Sequence, residues 1–548
     1  MIKWNNPNII LLILFILFSN SYGQNITQTV RGKVFDSDTK TPLSFANIMI
    51  RTTNPVLGAA SDANGVFRID MVPIGRHDIQ VSYMGYETKV IPEILISSGK
   101  EVVLEVSLKE DIVKMDAVVV TAYTKKDKPI NSMATVSART FSVEEGRRYA
   151  GGFDDPGRLV ASFSGVTTEN TRDNTIIIRG NSPKGLLWRL EGVEISNPNH
   201  FANLGTFGGG GISALSALVM GNSDFFTGAF PAEYGNAMSG VFDINLRTGN
   251  NENHEHAVQL GTLGLDIASE GPLGKNSSAS YLFNYRYSTM GLVKEFFPED
   301  VKDFLPVYQD MSFKINMPTQ KAGIFSVWGL ASEDILSEKA ETDSSLWEMA
   351  EDREDFDVIQ QVMCLGLNHC YIMGENAYLR TSIAITGNYM KLKGRMLGYD
   401  LKRYEKEYTD NRNYKYTLTS VYNHKFSARH TNRTGFILDK IHYNTLLKHA
   451  PVLEQGIITV ADEDGSSCLL QGYSQSKFWI SKRLILNAGF HYQHFDLSSE
   501  SVFEPRVGLS FNLRKAQTIS LAYGKHSRLE PLMLYFAKVN ENGIGHQS

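Results

Sequence analysis

The sequence predicts an all-β dominated fold: a small N-terminal β-sandwich, a mixed α+β region, and then part of a transmembrane antiparallel β-barrel. Three observations predict it. Aromatic residues make up 11% of the 548 residues and glycine occurs 46 times, a mixture that favours strands and turns. Apolar and polar residues alternate with period two through the last 300 or so residues, about 249 to 548. An apolar run near the start is typical of an exported chain.

Composition and charge exclude several classes of protein. Hydrophobic residues are 42% and charged residues 21%, so the chain is not disordered overall. The formal net charge of −5 lacks the basic excess of a nucleic-acid binder, and we expect no nucleic-acid partner. Three cysteines, Cys364, Cys370 and Cys468, are too few for a disulfide scaffold. Cys364 and Cys370 fall about 20 Å apart on one predicted strand, so we expect unpaired thiols.

The first 24 residues predict a secretory signal. Lys3 precedes an apolar run from Ile9 to Phe18, and small polar residues follow it up to Gly23. A membrane-spanning helix needs about 20 apolar residues, twice the length of this run, so we expect cleavage rather than a permanent anchor. No cysteine follows the run to carry a lipid, and no later apolar stretch reaches the length of a spanning helix.

Residues 25–110 predict the β-sandwich, because short alternating segments are separated by turns such as Asp62–Gly65 and Pro73–Gly75. Four motifs occur in order: Gly32-x-Val34, Pro42-Leu43-x-x-Ala46, Asp62-x-x-Gly65-x-Phe67 and Val81 to Tyr86. Together they resemble the carboxypeptidase-regulatory-like domain, which implies a structural accessory module. No His-x-x-Glu pair accompanies them, so the ligands of a zinc peptidase are missing from the segment.

Residues 130–249 form the mixed region. Five motifs follow one another there: Gly165-Val166, Ile178-Arg179-Gly180, Glu191-Gly192-Val193, Glu233-Tyr234-Gly235 and Ser239 to Ile244. This order resembles the plug domain of TonB-dependent outer-membrane receptors, and a sandwich ahead of a plug is similar to receptors of the Bacteroidetes kind. The resemblance implies an α+β plug domain whose candidate functional residues are Arg179, Gly180, Glu191, Gly192, Glu233, Tyr234 and Gly235.

Residues 111–129 join the two regions and contain a candidate TonB box. Its residues are Asp116, Ala117, Val118, Val119, Val120, Thr121 and Ala122. An extended, valine-rich segment can add as a strand to the edge of a partner's sheet, and the resemblance implies that this partner is TonB in the periplasm. The lysine-rich stretch after the box predicts a linker. The alternative is an ordinary strand or linker that continues the sandwich.

Residues 250–548 predict part of an outer-membrane barrel. We place about 12 or 13 strands of near membrane-crossing length, with apolar faces suited to outer-membrane lipid and polar faces suited to a wet lumen. Tight turns such as Lys482-Arg483 alternate with long polar stretches, which predicts short turns at one rim and long loops at the other. The predicted loops are Ser332 to Asp355, Gly394 to Arg412 and Lys440 to Gly465.

Several residue groups have two interpretations. The resemblance implies that Arg179 forms a polar lock between plug and barrel wall; the alternative is an exposed turn. Gly205 to Gly211 lacks the Gly-x-x-x-x-Gly-Lys-Ser/Thr pattern of a phosphate loop, and we expect a mobile plug loop. His254-Glu255-His256 places two imidazoles on one strand face, but a solvated turn is favoured over a metal site. The acidic stretch Glu333 to Asp357 attracts cations or cationic ligands, or is a solvated loop bridged by divalent ions to lipopolysaccharide.

The sequence contains no Ser/His/Asp or Cys/His nucleophile set, so we expect no catalytic residues, metal or cofactor and no enzyme. The resemblance implies a receptor in the outer membrane of a Gram-negative cell that takes up a scarce nutrient: a siderophore, cobalamin, an oligosaccharide or a peptide. The alternatives are a non-transporting surface binding protein or adhesin, and a non-functional truncated receptor. A metallopeptidase is a more distant alternative that metal content would reveal.

The length of the last region carries a further expectation. A 22-stranded barrel at about 10 residues per strand, with its loops, needs more than 300 residues. The last seven residues, 542–548, are loop-like, whereas the resemblance implies a final strand with a terminal aromatic. We therefore expect the chain to be the N-terminal part of a receptor. The coding DNA beyond the Ser548 codon tests this expectation.

Overall fold

A computed structural model describes residues 26–111, 129–141, 143–149, 151–152, 154–169, 173–204, 207–261, 263–275, 277–296, 306–514 and 517–537. The predicted signal and the predicted box, Asp116 to Ala122, lie outside these ranges. Within them, no helix has the length and hydrophobicity needed to cross a membrane.

The N-terminal domain is the predicted β-sandwich. Its strands are β1 (Thr27–Asp36), β2 (Asn47–Ile50), β3 (Leu57–Ala60), β4 (Val66–Pro73), β5 (Gly75–Ser82), β6 (Lys89–Ile96) and β7 (Val102–Leu108). One sheet has the order β4-β1-β7 and the other β3-β2-β5-β6. Alternate apolar residues of both sheets, including Val34, Ile48, Phe67 and Val81, share one buried core. Two sheets packed over one core are the arrangement of a β-sandwich.

The plug is a mixed sheet with short helices. It contains β8 (Ala138–Phe141), α1 (Val143–Arg148), α2 (Pro156–Val160), β9 (Val166–Thr168), β10 (Ile176–Ile178), β11 (Leu186–Leu190), β12 (Val193–Ile195), β13 (Ser223–Phe226), β14 (Gly240–Ile244) and a 3-10 turn at Pro183–Gly185. Five strands form the sheet β12-β11-β14-β13-β8. Trp188 and Phe242, on neighbouring parallel strands, stack with ring centroids 4.8 Å apart. This aromatic core makes the plug sheet a rigid support for its loops.

Thirteen antiparallel strands, paired in chain order, form the third region. They are β15 (Glu255–Gly261), β16 (Gly264–Pro272), β17 (Ser280–Tyr287), β18 (Val307–Pro318), β19 (Ile324–Glu338), β20 (Glu354–Met373), β21 (Ala377–Leu397), β22 (Arg403–Ser427), β23 (His430–His449), β24 (Ile458–Trp479), β25 (Leu484–Phe495), β26 (Glu500–Arg514) and β27 (Gln517–Gly524). Short helices are α3 (Thr289–Val293), α4 (Leu532–Phe536) and 3-10 turns at Lys294–Phe296, Ser344–Leu346, Glu351–Arg353 and Leu453–Gln455. The predicted all-β fold class with an antiparallel barrel sheet is confirmed.

The two faces of the barrel strands differ as the sequence predicts. On β20, Val362 and Cys364 are buried on the inner face, while Leu365 and Leu367 are 46% and 41% exposed on the outer face. The outer face is thus suited to lipid and the inner face contacts the plug. All three cysteines are free thiols, as expected, and Cys364 and Cys370 lie on this one strand.

The prediction of three long loops is wrong in extent. Strands β20 to β24 run for 20 to 25 residues, about twice the length that crosses a bilayer. The connections shrink to 339–353, 398–402 and 450–457. In the extension of β22 the charged residues Glu405, Lys406 and Glu407 occupy both faces, so the alternation of apolar and polar residues is lost there. The opposite rim has short turns, such as 374–376 and 480–483.

Candidate functional site: the plug–barrel interface

The plug turn Phe230–Gly235 is held by several hydrogen bonds from the barrel wall. Three barrel side chains bond its backbone. Gln475 accepts from the Ala232 amide at 2.6 Å, and His491 Nδ1 lies 2.8 Å from the Ala232 carbonyl oxygen. Arg506 donates to the carbonyls of Pro231 (2.5 Å) and Tyr234 (2.8 Å). Buried backbone groups need hydrogen-bond partners, and these three barrel side chains supply them. They therefore hold the turn in one position against the barrel wall.

Gly235 allows this close approach. A Cβ atom at position 235 would overlap the imidazole of His491 and the side-chain amide of Gln471. Tyr234, beside it, is 1% exposed and donates its hydroxyl to Asp243 at 2.7 Å. In the Glu233-Tyr234-Gly235 motif, the tyrosine ring is therefore buried in the plug, and the glycine leaves room for His491 and Gln471.

Glu233 is the ionic centre of this turn. It pairs with Arg433 of strand β23, with Arg189 of the plug at 3.5 Å, and accepts from the Asn131 amide at 2.7 Å. Its side chain is 9% exposed. Burial by itself raises the pKa of Glu233, but Arg433 and Arg189 outweigh burial and hold that pKa at about 2. The carboxylate is thus ionised at any physiological pH and joins plug to barrel.

Glu191 forms a second connection. Glu191 and Gly192 both have positive φ angles, 52° and 90°, and form the two-residue turn between β11 and β12. Lys314 of strand β18 donates to the Glu191 carboxylate at 2.8 Å, and Arg380 of β21 donates to its backbone carbonyl at 2.6 Å. Charges from two separate barrel strands therefore meet at one plug turn.

Arg179 does not take part in these connections. Arg179 and Gly180 also form a turn with positive φ, at 51° and 78°, and Arg179 is exposed. Its guanidinium donates to Ser137 at 2.9 Å, within the plug. Of the two interpretations of Arg179, this geometry agrees with the exposed turn and contradicts the polar lock. Glu191 and Glu233, by contrast, both form charged contacts with the barrel.

The first described plug residues connect the linker to the Glu233 centre. The carboxylate of Asp224 accepts from the amides of Ile130 (2.9 Å) and Asn131 (2.8 Å). The Asn131 side chain contacts Glu233, the Tyr234 hydroxyl at 3.0 Å and Arg433 at 3.0 Å. Burial raises the pKa of Asp224 to about 6. Asn131 and Asp224 could not be predicted from the sequence, because nothing in their local pattern marks them.

His200 fastens the opposite end of the plug. It is fully buried, with Nε2 3.0 Å from Asp310 of β18 and Nδ1 bonded to Asp334 of β19. Arg286 pairs with the same Asp310 at 2.7 Å. Burial lowers the pKa of His200, but Asp334 and Asp310 outweigh it, and the net pKa is raised. This cluster could not be predicted from the sequence, since His200 is 110 and 134 residues from its two aspartate partners.

The remaining candidates have ordinary surroundings. In the Gly205–Gly211 loop, residues 205 and 206 lie outside the described ranges. Side chains at Gly208 and Gly210 would overlap Pro183 and Asn199, so this part of the loop is closely packed.

The histidines of His254-Glu255-His256 lie at the start of β15. His254 is 3.3 Å from the Tyr281 hydroxyl and His256 is 3.0 Å from the Ser269 hydroxyl. Glu255 instead accepts from the backbone amide of Glu101 in the sandwich at 2.8 Å. The described residues contain no group of three or more ligating side chains placed to hold a metal. Much of the acidic stretch, including Glu333 and Asp334, is strand rather than loop.

A small cavity lies between the plug and strands β22 to β24 beside Glu233. Asp439 and Thr419 line it, and each has a buried side-chain oxygen without a hydrogen-bond partner among the described residues. Polar groups of this kind are normally satisfied by water. On this side the plug is therefore held through polar contacts next to a space that suits water, whereas elsewhere it shares an apolar core with barrel residues such as Leu282, Trp328 and Leu330.

The comparisons with known proteins agree with this architecture. Residues 30–120 match the family model described as the CarboxypepD_reg-like domain. None of the curated proteins matches the chain. The outer membrane transporter YddB from Escherichia coli has 12% identity and a TM-score of 0.50, over 71% of this chain and 60% of its own. The siderophore receptor PirA from Acinetobacter baumannii has 13% identity and a TM-score of 0.50, over 72% of this chain and 62% of its own. The matched chain of the FpvAI–pyocin S2 complex has 11% identity and a TM-score of 0.53, over 71% of this chain and 55% of its own.

The chain thus spans less than two thirds of the length of these solved structures. At such identities the likeness defines the fold. The chain has the plug-and-barrel fold of TonB-dependent outer-membrane receptors, preceded by a carboxypeptidase-regulatory-like domain, and the predicted resemblance is confirmed at that level.

Proposed function

We propose that this protein acts in the outer membrane of a Gram-negative cell as a receptor that takes up a scarce nutrient, with TonB supplying the work. The observation that carries the proposal is the way in which the plug is held: buried ion pairs and backbone hydrogen bonds at a few defined turns. Separating a buried ion pair costs about 3–5 kcal/mol because it leaves an uncompensated charge, so the resting plug stays closed. A directed pull can break a few such contacts in sequence.

The proposed point of action is the box, Asp116 to Ala122. TonB would add a strand to it through main-chain hydrogen bonds. The pull would reach the described plug at Ile130 and Asn131. From there it passes to Glu233, because Asn131 bonds both Glu233 and Arg433. The first contacts to break are thus part of the ionic centre that fixes the plug.

The ligand would bind on the side of the long hairpins. In an outer-membrane barrel, long connections face outward and short turns face the periplasm. The nutrient classes that we propose are siderophores, cobalamin, oligosaccharides and peptides, and transport rather than enzymatic conversion is the proposed activity. One of the solved structures of similar fold is named as a siderophore receptor, which favours testing siderophores first.

The test measures binding and uptake separately in cells that express the protein. The probes are ⁵⁵Fe-loaded siderophores, ⁵⁷Co-cyanocobalamin, and labelled oligosaccharides and peptides. V119P removes one backbone donor of the box, whereas V119A at the same position keeps it. We expect V119P to retain binding of the active probe and to lose at least nine-tenths of its uptake, with V119A close to wild type. Binding without uptake in the wild type would make the protein a non-transporting surface binder.

A further inference from the structure

The N-terminal sandwich is docked against the rim that carries the short turns, and its first contact is with the plug–barrel junction. Arg31, 6% exposed, bonds Asn250 and donates to Asn251 at 2.8 Å, while its Nε donates to Glu101 at 2.9 Å. Burial raises the pKa of Glu101, but hydrogen bonds from Arg31 and Asn250 outweigh burial and the net pKa is lowered. Lys100 pairs with Glu270 of β16. This side of the sandwich is therefore held by buried charges.

The second contact lies across the lumen, on strand β22. Lys425 pairs with Asp36 at 3.0 Å and with Glu110 at 2.8 Å. Asn423, fully buried, donates to the backbone carbonyl of Asp38 at 2.6 Å. Strands β16 and β22 are six places apart in the sheet. One small domain thus bridges two distant parts of the same rim.

Between the two contacts, the turn 37–41 of the sandwich enters the mouth of the barrel. Thr39 at its centre is 1% exposed. Burial and the nearby guanidinium of Arg433 lower the pKa of Lys40, and the Cys370 thiol acts on this pKa in the opposite direction. Asn423, which bonds Asp38 of this turn, also accepts from the Nε of Arg433 at 3.2 Å. Arg433 is the barrel partner of Glu233, so the inserted turn is connected to the ionic centre that fixes the plug.

We propose that the sandwich is a second closure, which covers the periplasmic mouth of the barrel beneath the plug and must be released before anything leaves the lumen. The contacts favour a reversible cover, because they are ion pairs and hydrogen bonds rather than a continuous apolar interface. The release step rests on the proposed function: the box lies on the segment 112–128 between sandwich and plug, so a pull there acts on both domains. The closure itself does not depend on TonB.

The closure is tested first without any ligand. In a variant with C364A and C468A, Cys370 is the single thiol, on the inner face near the inserted turn. The probe is a 5-kDa polyethylene-glycol maleimide added from the periplasmic side of outer-membrane preparations. N423A/K425A removes the barrel side of the second contact, and R429A removes an exposed charge on the neighbouring turn. We expect labelling at least tenfold faster in N423A/K425A, and no change in R429A. Equal rates in all three proteins would overturn the closure.

The release step is tested by a disulfide. D38C/N423C, in a background with C364A, C370A and C468A, joins the sandwich to β22; D62C/N423C is the matched control, since Asp62 lies on a different, exposed turn. We expect D38C/N423C to cross-link on mild oxidation, to lose at least nine-tenths of uptake of the active probe, and to recover on reduction. Full uptake by the cross-linked protein would overturn the release step. Absence of uptake of every probe by the cysteine-free parent would instead overturn the proposed function, and the labelling rates would still decide the closure.

Discussion

Glu233 of the plug and Arg433 of strand β23 form a buried ion pair, with side-chain exposures of 9% and 11%. Arg189 stands on the other side of the same carboxylate. Two guanidinium groups thus share one largely buried anion. Removal of that anion leaves Arg433 without its carboxylate partner and Arg189 with only the neighbouring Asp243, which is more costly than the net value of the pair.

The first prediction follows from this relationship. We expect E233Q to lower the free energy of unfolding by about 3–5 kcal/mol, because Arg433 loses its ion-pair partner and Arg189 loses one of two neighbouring carboxylates. The matched control is E530Q, which removes the exposed plug–barrel pair of Glu530 with Lys184 at 2.8 Å. Such an exposed pair contributes under about 1 kcal/mol. Equilibrium unfolding in detergent measures both, and an equal loss in the two variants would contradict the central place of Glu233.

The second prediction concerns pH. The pKa of Asp224 is about 6 in the folded protein and 3.8 as its ordinary value, so the folded state binds the proton more tightly. Stability from this group is therefore greatest below pH 4, falls as pH rises from about 4 to about 6, and is constant above that. The shift corresponds to about 3 kcal/mol.

D224N removes this titration, so the difference in stability between wild type and D224N should change across pH 4 to 6 and not above pH 7. Asp154, another plug aspartate, supplies the control D154N. The unfolding midpoints of wild type, D224N and D154N, measured from pH 4 to 8, test this prediction. A difference that is independent of pH would show that Asp224 does not titrate in this range.

The sequence predicted the architecture better than the contacts. Alternation located the inner faces of the strands, and the plug motifs pointed to Glu191 and Glu233. Their barrel partners could not be predicted, since Lys314, Arg380 and Arg433 are only three of many polar residues on inner strand faces. Their meeting with the plug depends on strand register and on how the plug is seated, which single-sequence patterns do not contain.

Two failures have the same physical origin. His200 is buried by aspartates from two other strands, so its importance is a property of the assembled interface. Strand β22 continues into water, where both faces are polar, and its hydrophobic alternation disappears although its backbone hydrogen bonds continue. Hydrophobic alternation in a sequence indicates which face of a strand is buried. It gives no signal where a strand is exposed on both sides, or where a polar group is buried by residues distant in the sequence.

The third prediction concerns Asn131. Its side chain bonds Glu233 and Arg433, and its backbone amide bonds Asp224. We expect N131A to weaken the start of the plug by about 1–3 kcal/mol, because two buried charged groups lose a partner. A free-energy change of about 1.4 kcal/mol is a factor of ten in an equilibrium constant. The backbone amides of residues 130–135 should therefore exchange with deuterium about five to one hundred times faster.

The control for this variant is N181A, because Asn181 is also a plug asparagine but bonds only the Ile178 carbonyl, at 3.0 Å, among the contacts of its side chain within the described residues. Exchange in 130–135 should be unchanged in N181A. Mass spectrometry of peptides from this segment gives the rates. Unchanged exchange in N131A would mean that the segment is held by its backbone contacts alone.

The fourth prediction concerns the fit of Gly235. A methyl group at this position overlaps the imidazole of His491 and the amide of Gln471, so G235A must displace the plug turn or the barrel side chains. Displacement breaks the bond between His491 and the Ala232 carbonyl, and we expect a loss of about 2–4 kcal/mol from overpacking and lost hydrogen bonding together. G472A is the control, because a methyl group there has open space within 4 Å. The double variant G235A/H491A relieves the overlap and should regain part of the loss in equilibrium unfolding. A double variant as unstable as the sum of its single changes would show that the backbone of the turn, rather than the overlap with His491, sets the requirement for glycine.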